Sequence, residues 1–195
     1  MKGINLFRSQ EWVVLMALPQ ESQGLFENAG IPLIYTGIGK INAAAAITET
    51  ILNYPQKKIL NLGTAGSFAL KTHELVECRA FVQRDMDLTP LKMPLGETPL
   101  DAVPGKIIGT HFFSELKGGV CGTGDVFEVE KTKLPCDLVD MEAYALAKVC
   151  KKKNVEFISV KYITDQSNRN THVDWKANLQ KSARALLQFY EKYWS

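Results

Sequence analysis

The sequence has few cysteines, and none is spaced as in a metal or redox motif. The four are Cys78, Cys121, Cys136 and Cys150, and no pair is separated by only two residues. A zinc site or a thioredoxin-like redox centre is therefore not indicated. Because a chain of 195 residues can build its core without disulfides, we expect free thiols in a reducing cytoplasm.

Long apolar runs are also missing. The run at residues 12–18 is far shorter than the roughly 20 apolar residues that a membrane-spanning helix needs. It leads into Pro19-Gln20-Glu21 without the small-residue cleavage site of a signal peptide. We therefore predict a cytoplasmic protein with no membrane partner.

Neither sign of charge is in clear excess. Lysine and arginine number 23, aspartate and glutamate number 21, and the formal net charge is +2. This balance argues against a protein whose main partner is nucleic acid. A hydrophobic fraction of 46% is too high for a disordered chain, and the length favours one domain spanning residues 1–195.

The sequence does contain short apolar runs that alternate with helical segments. The apolar runs predict strands at 12–17, 32–35, 58–62, 76–82, 106–109, 118–123, 138–139 and 157–163. Helices are predicted over 19–28, 41–52, 143–153 and 175–193. The fold class is therefore α/β, a single domain with a central mixed, mostly parallel sheet flanked by helices.

Two of these helices carry apolar stripes that predict how they pack against the sheet. The stripe of the first comprises Ile41, Ala44, Ala45, Thr48, Ile51 and Leu52. The stripe of the C-terminal helix comprises Trp175, Leu179, Ala183, Leu186, Leu187, Tyr190 and Tyr193. Between the helical regions, residues 85–104 hold four prolines and predict a long irregular loop, a feature that is usually functional.

Carboxylates and glycine-rich turns follow the predicted strands, where sites gather in open α/β sheets. The carboxylates are Glu21, Glu142 and Asp165. The turns are Gly37-Ile38-Gly39-Lys40, Gly63-Thr64-Ala65-Gly66 and Gly124-Asp125-Val126-Phe127. Each has an ordinary structural explanation as a turn, a cap or an acid at a helix start. Together they predict one cleft.

Motifs for other chemistries are absent. The Gly37 turn lacks the third glycine of a dinucleotide fingerprint, and no P-loop or hydrolase nucleophile elbow occurs. His73, His111 and His172 are isolated from one another and have no metal-ligand spacing. We therefore predict no metal site.

Four blocks occur along the chain in a characteristic order. They are Thr36-Gly37-Ile38-Gly39-Lys40-Ile41-Asn42-Ala43-Ala44, Asn61-Leu62-Gly63-Thr64-Ala65-Gly66, Val139-Asp140-Met141-Glu142-Ala143 and Ile163-Thr164-Asp165. In this order, with the Gly124 turn between them, they resemble the signature blocks of the nucleoside phosphorylase family. The resemblance is greatest to the 5′-methylthioadenosine/S-adenosylhomocysteine nucleosidases. It implies hydrolysis of a purine N-glycosidic bond without a metal or organic cofactor, by a homodimer that binds a small purine nucleoside.

The resemblance also implies roles for individual residues. Asp165 corresponds to the general acid that serves purine N7, and Glu21 to the carboxylate that activates the attacking water. An aspartate must have a raised pKa to hold a proton at neutral pH, and crowding of Glu21, Glu142 and Asp165 would raise at least one of the three.

The remaining implied residues bind the substrate. Glu142 corresponds to the acceptor of the ribose hydroxyls, and a carboxylate there also favours positive charge on the sugar. Met141 corresponds to a residue that packs on the sugar, Phe127 to one that stacks on the purine, and the backbone of Glu128 to a contact with the purine edge. Thr64 with Gly63 corresponds to the turn near the nucleophile, and Leu18 to a residue that borders the 5′-substituent.

The sequence departs from the family pattern in several ways. The family's acidic run after the first strand is reduced to Pro19-Gln20-Glu21. Only residues 31–36 connect the first helical region to the Gly37 turn, so one hairpin of the relatives is expected to be missing. Family phosphorylases place arginine near the glycine turn, but no arginine occurs between Arg8 and Arg79. Because arginine is the usual phosphate clamp, we predict hydrolysis at a site with three carboxylates and no arginine.

Three alternatives stay open from the sequence. The first is a purine nucleoside phosphorylase, the second is a hydrolase of another 5′-modified nucleoside such as futalosine, and the third is an inactive nucleoside-binding protein on the same fold. The poor match of the 85–104 loop leaves the identity of the 5′-substituent open.

Overall fold

The computed structural model describes residues 7–127, 132–166 and 171–194. The strands in these ranges are β1 Trp12–Met16, β2 Leu33–Tyr35, β3 Lys58–Ser67, β4 Leu75–Gln83, β5 Lys106–Ile108, β6 Lys117–Thr123, β7 Leu138–Asp140 and β8 Phe157–Asp165. The α-helices are α1 Pro19–Ser22, α2 Leu25–Asn28, α3 Lys40–Asn53, α4 Ala143–Lys153 and α5 Thr171–Tyr193. Single 3₁₀ turns occupy Ser9–Glu11 and Thr89–Leu91.

All of the named strands join one mixed sheet. Strand β1 pairs in parallel with β2 and β3, β3 with β8, and β6 with β4 and β7. The antiparallel pairs are β3 with β7, β4 with β8 and β4 with β5. The predicted mixed, mostly parallel sheet flanked by helices is confirmed. Strands β3, β8, β4, β6 and β7 also close on themselves, which brings the ends of distant strands together.

Strand β1 is buried on both faces, which explains its unbroken apolar sequence. Val13 and Leu15 pack in a cluster with residues of α3 and α4. Val14 and Met16, on the opposite face, pack in a cluster with residues of α5. Alternate side chains of one strand therefore connect the two helical layers. No helix in the described ranges is both long and apolar enough to cross a membrane.

Two helical predictions are corrected. The 19–28 helix is broken because Gln23 and Gly24 adopt φ values of 50° and 72°, which turn the chain out of the right-handed helix. In α3 the buried side chains are Ala43, Ile47 and Thr50, whereas Ile41 is 82% exposed. Alanines on several sides of α3 make two stripes nearly equal in the sequence, and the sheet packs against the stripe that was not predicted.

The predicted turn at Gly63-Thr64-Ala65-Gly66 is also corrected, because β3 continues through these residues to Ser67 and pairs there with β8. The order of the remaining strands and helices agrees with the prediction. The predicted face of α5 is buried at Leu179, Ala183, Leu186 and Tyr190. The 85–104 segment is irregular apart from its one 3₁₀ turn. A single strand, β2, lies between α2 and α3, in keeping with the short connection expected there. Because β1, β3 and β8 are mutually parallel, their carboxyl ends point to the same edge of the sheet.

Candidate active site

A cavity of about 320 Å³ opens at this edge of the sheet. It is lined by residues that follow β1, β6 and β7, by the end halves of β3 and β8, and by one residue of α5. Seven of the predicted site residues are on its wall: Leu18, Glu21, Thr64, Phe127, Met141, Glu142 and Asp165. The cleft that the strand ends predict therefore exists, and the three predicted carboxylates share it.

Glu21 is buried and accepts four hydrogen bonds. Its Oε1 accepts the backbone N–H of Thr64 at 2.8 Å and the Thr64 hydroxyl at 2.7 Å. Its Oε2 accepts the backbone N–H groups of Ala17 at 3.0 Å and Leu18 at 3.3 Å. This fold-back is local, because Glu21 is the third residue of α1 and reaches the residues that precede the helix. Four donors around one carboxyl fit its ionised form, which only accepts.

Gly63 lies directly behind Glu21 and does not itself line the cavity. A Cβ added at Gly63 would lie 3.1 Å from Glu21 Oε1 and 3.3 Å from Lys161 Nζ. Glycine at this position therefore lets both charged groups approach the β3 backbone.

Glu142 lies across the cavity in a different environment. It is buried, and its Oε1 accepts the backbone N–H of Gly39 at 2.9 Å. Burial and the neighbouring Asp140 carboxylate raise the pKa of Glu142 to about 8, with Glu21 adding to the effect and Lys161 and the Gly39 N–H opposing it. The predicted carboxylate with a raised pKa is thus Glu142, mainly because of burial and Asp140 and only to a small extent because of Glu21, and it holds a proton at neutral pH.

A buried ion pair lies beneath the two glutamates. Lys161 Nζ lies 2.9 Å from Asp140 Oδ2, and both side chains are almost fully buried. The Asp140 carboxylate also accepts the Thr123 hydroxyl at 2.6 Å and the backbone N–H of Ala143 at 2.9 Å. Although burial opposes the charged lysine, the carboxylates of Asp140 and Glu142 raise the pKa of Lys161 above its usual range. Lys161 is therefore a fixed, buried positive charge beside Asp140, which lines the cavity.

Asp165 ends β8 and is buried at the cavity wall. Its Oδ2 accepts the hydroxyl of Thr164 at 2.7 Å. The backbone carbonyl of Thr164 in turn accepts Asn178 Nδ2 of α5 at 2.8 Å. Asp165 is thus placed by the end of a sheet strand that α5 holds in position.

The prediction of a site without arginine is wrong, because Arg84 lines the cavity. Arg84 follows β4 and is buried, and its guanidinium donates to the carbonyls of Gly122 at 3.2 Å and Gly124 at 3.3 Å, and to the carbonyl of Val126. The prediction looked for an arginine only near Gly63-Thr64-Ala65-Gly66. Arg84 reaches the site from another strand, because β4 pairs with β6 and the two strands end side by side. Arg84 holds the backbone that leads to Phe127, whose side chain is 47% exposed at the cavity mouth.

The Gly37 turn is tied to the same loop by charged groups. Lys40 Nζ pairs with Asp85 Oδ1 at 2.5 Å and lies 3.5 Å from Asp125 Oδ2. The backbone N–H of Lys40 donates to Asp125 Oδ1 at 2.8 Å, and that of Asp125 to Asp85 Oδ2 at 2.9 Å. The network thereby positions the adjacent Gly39, whose backbone N–H donates to Glu142.

Comparison with known proteins agrees with this geometry. Residues 22–194 match the family model described as the phosphorylase superfamily. The chain belongs to the phosphorylase superfamily. It is 30% identical over 182 residues to the 5′-methylthioadenosine/S-adenosylhomocysteine nucleosidase of Anoxybacillus flavithermus, covering 82% of this chain and 78% of that protein. It is 29% identical over 186 residues to the aminodeoxyfutalosine nucleosidase of Helicobacter pylori, covering 86% of this chain and 80% of that protein.

Two solved structures from Helicobacter pylori have the same superfamily fold. The futalosine hydrolase superposes with a TM-score of 0.83 at 25% identity, over 93% of this chain and 95% of that one. The 5′-methylthioadenosine/S-adenosyl homocysteine nucleosidase, complexed with a pyrrolopyrimidine-bearing pyrrolidinol, gives the same TM-score and identity over 95% and 97%. The family that the four sequence blocks resemble and the α/β fold class predicted from the strand and helix pattern are both confirmed.

The superfamily signature does not account for every residue at the site. Glu128 lies outside the described residues. Lys161, Arg84 and Trp175 were given no site role by the sequence, although a lone lysine inside the apolar β8 sequence was an available signal. Trp175 was assigned to the core-facing stripe of α5, and the structure places it on the cavity wall. The sequence offers only one indication of this role, which is the position of Trp175 at the start of the α5 stripe, before the buried Leu179 and Ala183.

Proposed function

We propose that this protein hydrolyses the N-glycosidic bond of a purine nucleoside of the 5′-methylthioadenosine/S-adenosylhomocysteine type, releasing the free base and the ribosyl product. Membership of the phosphorylase superfamily and the nucleosidase names of the relatives support this assignment. The observation that carries it is the buried Glu21 carboxylate, which four donors fix in its accepting form at the wall of the cavity.

The arrangement supplies each part of the reaction. Departure of the purine leaves positive charge on the ribose and negative charge on the base, so the base needs a proton and the sugar needs a nearby anion. Asp165 is the acid for purine N7, and Glu21 takes a proton from the attacking water. Glu142 accepts the ribose hydroxyls once it is ionised.

The remaining predicted residues complete the binding site. Met141 packs on the sugar, Phe127 stacks on the purine and Leu18 borders the 5′-substituent; all three line the cavity. Thr64, with Gly63, is assigned to the side of the nucleophile, and the backbone of Glu128 is assigned to the purine edge. These roles stay proposals for mutagenesis.

Water rather than phosphate is the proposed nucleophile. A phosphate dianion would meet the Glu21 carboxylate at the cavity wall, and the negative charge of this carboxylate opposes it. Arg84 is at the wall, but its guanidinium faces backbone carbonyls of the 122–126 loop. Hydrolysis is therefore favoured over phosphorolysis.

A second substrate class is supported by a specific observation. The aminodeoxyfutalosine nucleosidase of Helicobacter pylori is nearly as similar to this chain as the 5′-methylthioadenosine/S-adenosylhomocysteine nucleosidase of Anoxybacillus flavithermus. The second candidate is therefore hydrolysis of a nucleoside with a futalosine-type 5′-substituent.

The test is release of base from a panel of purine nucleosides, with and without phosphate. 5′-Methylthioadenosine, S-adenosylhomocysteine, aminodeoxyfutalosine and inosine distinguish the substrate classes. We expect phosphate-independent release from at least one 5′-modified nucleoside. Release that requires phosphate would replace the hydrolase with a phosphorylase, and no release from any nucleoside would favour an inactive binding protein.

We further propose one domain over residues 1–195, a cytoplasmic location, a role in methionine salvage and a homodimer. Apolar side chains of α3 and its flanks support the dimer, because Ile38, Ile41, Leu52 and Tyr54 are exposed. Such a surface is typical of an interface between copies. A monomer mass from light scattering at micromolar concentration would contradict the dimer.

A further inference from the structure

Trp175 connects α5 to the glycine-rich end of β3. Its indole Nε1–H donates to Thr64 Oγ1 at 3.1 Å, across 111 residues of sequence. The side chain is partly buried and lines the cavity. An indole N–H can only donate, so Thr64 must accept this hydrogen bond with an oxygen lone pair.

The direction of the next hydrogen bond follows from the first. A hydroxyl has one proton, and with a lone pair occupied by the indole, the Thr64 proton is left for Glu21 Oε1 at 2.7 Å. The Thr64 backbone N–H donates to the same oxygen at 2.8 Å. The chain of donation therefore runs from Trp175 through Thr64 to Glu21, and each link is within ordinary hydrogen-bond distance.

We propose that Trp175 is a positioning residue for Glu21, orienting the Thr64 hydroxyl so that its proton stays on Glu21 Oε1 and the carboxylate is held in place at the cavity wall. This inference rests on the proposed hydrolase function. Without the indole N–H the Thr64 hydroxyl is free to rotate, and a lone pair turned toward Glu21 would repel the carboxylate.

The backbone of α5 holds Trp175 in place independently of this hydrogen bond. Leu179 and Ala183 are buried one and two turns further along the helix. Asn178 Nδ2 donates to the carbonyl of Thr164 at 2.8 Å, which ties the same turn of α5 to the end of β8. A substitution that removes only the N–H therefore leaves the helix docked.

The matched variant is Trp175→Phe, which keeps an aromatic ring and removes the donor. We expect kcat to fall by about fivefold to tenfold, which is the loss of one hydrogen bond, with KM within about twofold of wild type. In a Thr64→Val background, which lacks the hydroxyl, Trp175→Phe should cause no further loss of kcat. Thermal denaturation of each variant checks that folding is retained.

Two kinetic outcomes would overturn the proposal. One is a Trp175→Phe enzyme with the kcat of the wild type. The other is an equal loss in the wild-type and Thr64→Val backgrounds, because the indole would then act by its bulk and not through Thr64. An inactive wild-type protein would instead refute the proposed function.

A readout that does not need activity tests the same hydrogen bond. The chain has three tryptophans, and Trp175→Phe identifies which indole N–H signal in a proton NMR spectrum belongs to Trp175. Thr64→Val should shift this signal and speed its exchange with solvent, while the signals of the other two stay in place. An unchanged Trp175 signal in Thr64→Val would refute the relay whatever the activity of the protein.

Discussion

Glu21 and Glu142 are the same residue type and line the same cavity, yet their surroundings favour opposite protonation states. Glu21 accepts four hydrogen bonds from backbone and hydroxyl donors. Glu142 has one such donor, the Gly39 N–H, and faces Asp140, so its pKa is raised to about 8. The comparison teaches that donors aimed at a carboxyl, and not burial alone, decide which acid stays ionised.

The largest expected effect comes from neutralising the ionised member of the pair. Glu21→Gln keeps the shape and removes the base, so we expect kcat to fall by about 10²–10⁴-fold because the water is no longer deprotonated. Nucleoside affinity, measured by calorimetry, should change little. Near-normal turnover would show that Glu21 is only the cap of α1.

The next effect concerns the acid for the leaving base, which neither glutamate supplies. Asp165→Asn removes the proton donor and should lower kcat by at least about 10²-fold. A substrate whose leaving group needs no proton would lose less, and this selectivity separates a lost acid from a damaged fold. Equal losses for both substrates would remove Asp165 from the general-acid role.

The protonated member of the pair predicts proton release on binding. Glu142 holds a proton at pH 7 in the empty cavity because its pKa is raised to about 8. Ribose hydroxyls donate to the ionised carboxylate, so binding should release up to about one proton per site. Calorimetry at pH 7 in buffers of different ionisation enthalpy measures this release, with Glu142→Gln as the control that should abolish it. The same release from Glu142→Gln would assign the proton to another group.

The smallest effect is on stability. Between the ordinary value of 4.5 and about 8, the folded protein holds a proton on Glu142 that the unfolded chain has lost. Stability from this group therefore falls as pH rises through that window. The Tm of wild type minus that of Glu142→Gln should decrease by a few degrees across it. A difference that is flat with pH would contradict the raised pKa.

Local patterns were sufficient to predict the strand and helix order and the end of the sheet at which the site lies. The continuous apolar sequence of β1 and the periodic face of α5 each contain their own structural signal. The α3 stripe was predicted wrongly because alanine fits either a buried or an exposed face.

The partners at the site were less accessible to the sequence. Arg84 and Trp175 acquire their roles through neighbours that are distant in sequence. The partners of Arg84 are 38 to 42 residues away, and Thr64 is 111 residues from Trp175. Lys161 pairs with Asp140 on another strand. No spacing rule predicts such contacts, because closure of the sheet decides which strand ends meet. Glu142 and Asp165 lie in the family blocks, and Glu21 was found from its place after the first predicted strand. The buried Lys161 and Arg84 carry no such mark.

The claim on which the proposed chemistry depends is that Glu21 is ionised and Glu142 protonated in the empty cavity at neutral pH. Carbon-13 NMR of protein labelled at the glutamate side-chain carboxyl carbons measures both states, with Glu21→Gln and Glu142→Gln assigning the two signals. At pH 7 we predict a carboxylate shift for Glu21 and a carboxylic-acid shift for Glu142, which should titrate near pH 8. Two signals that are both carboxylate at pH 7, or a protonated Glu21, would contradict the account.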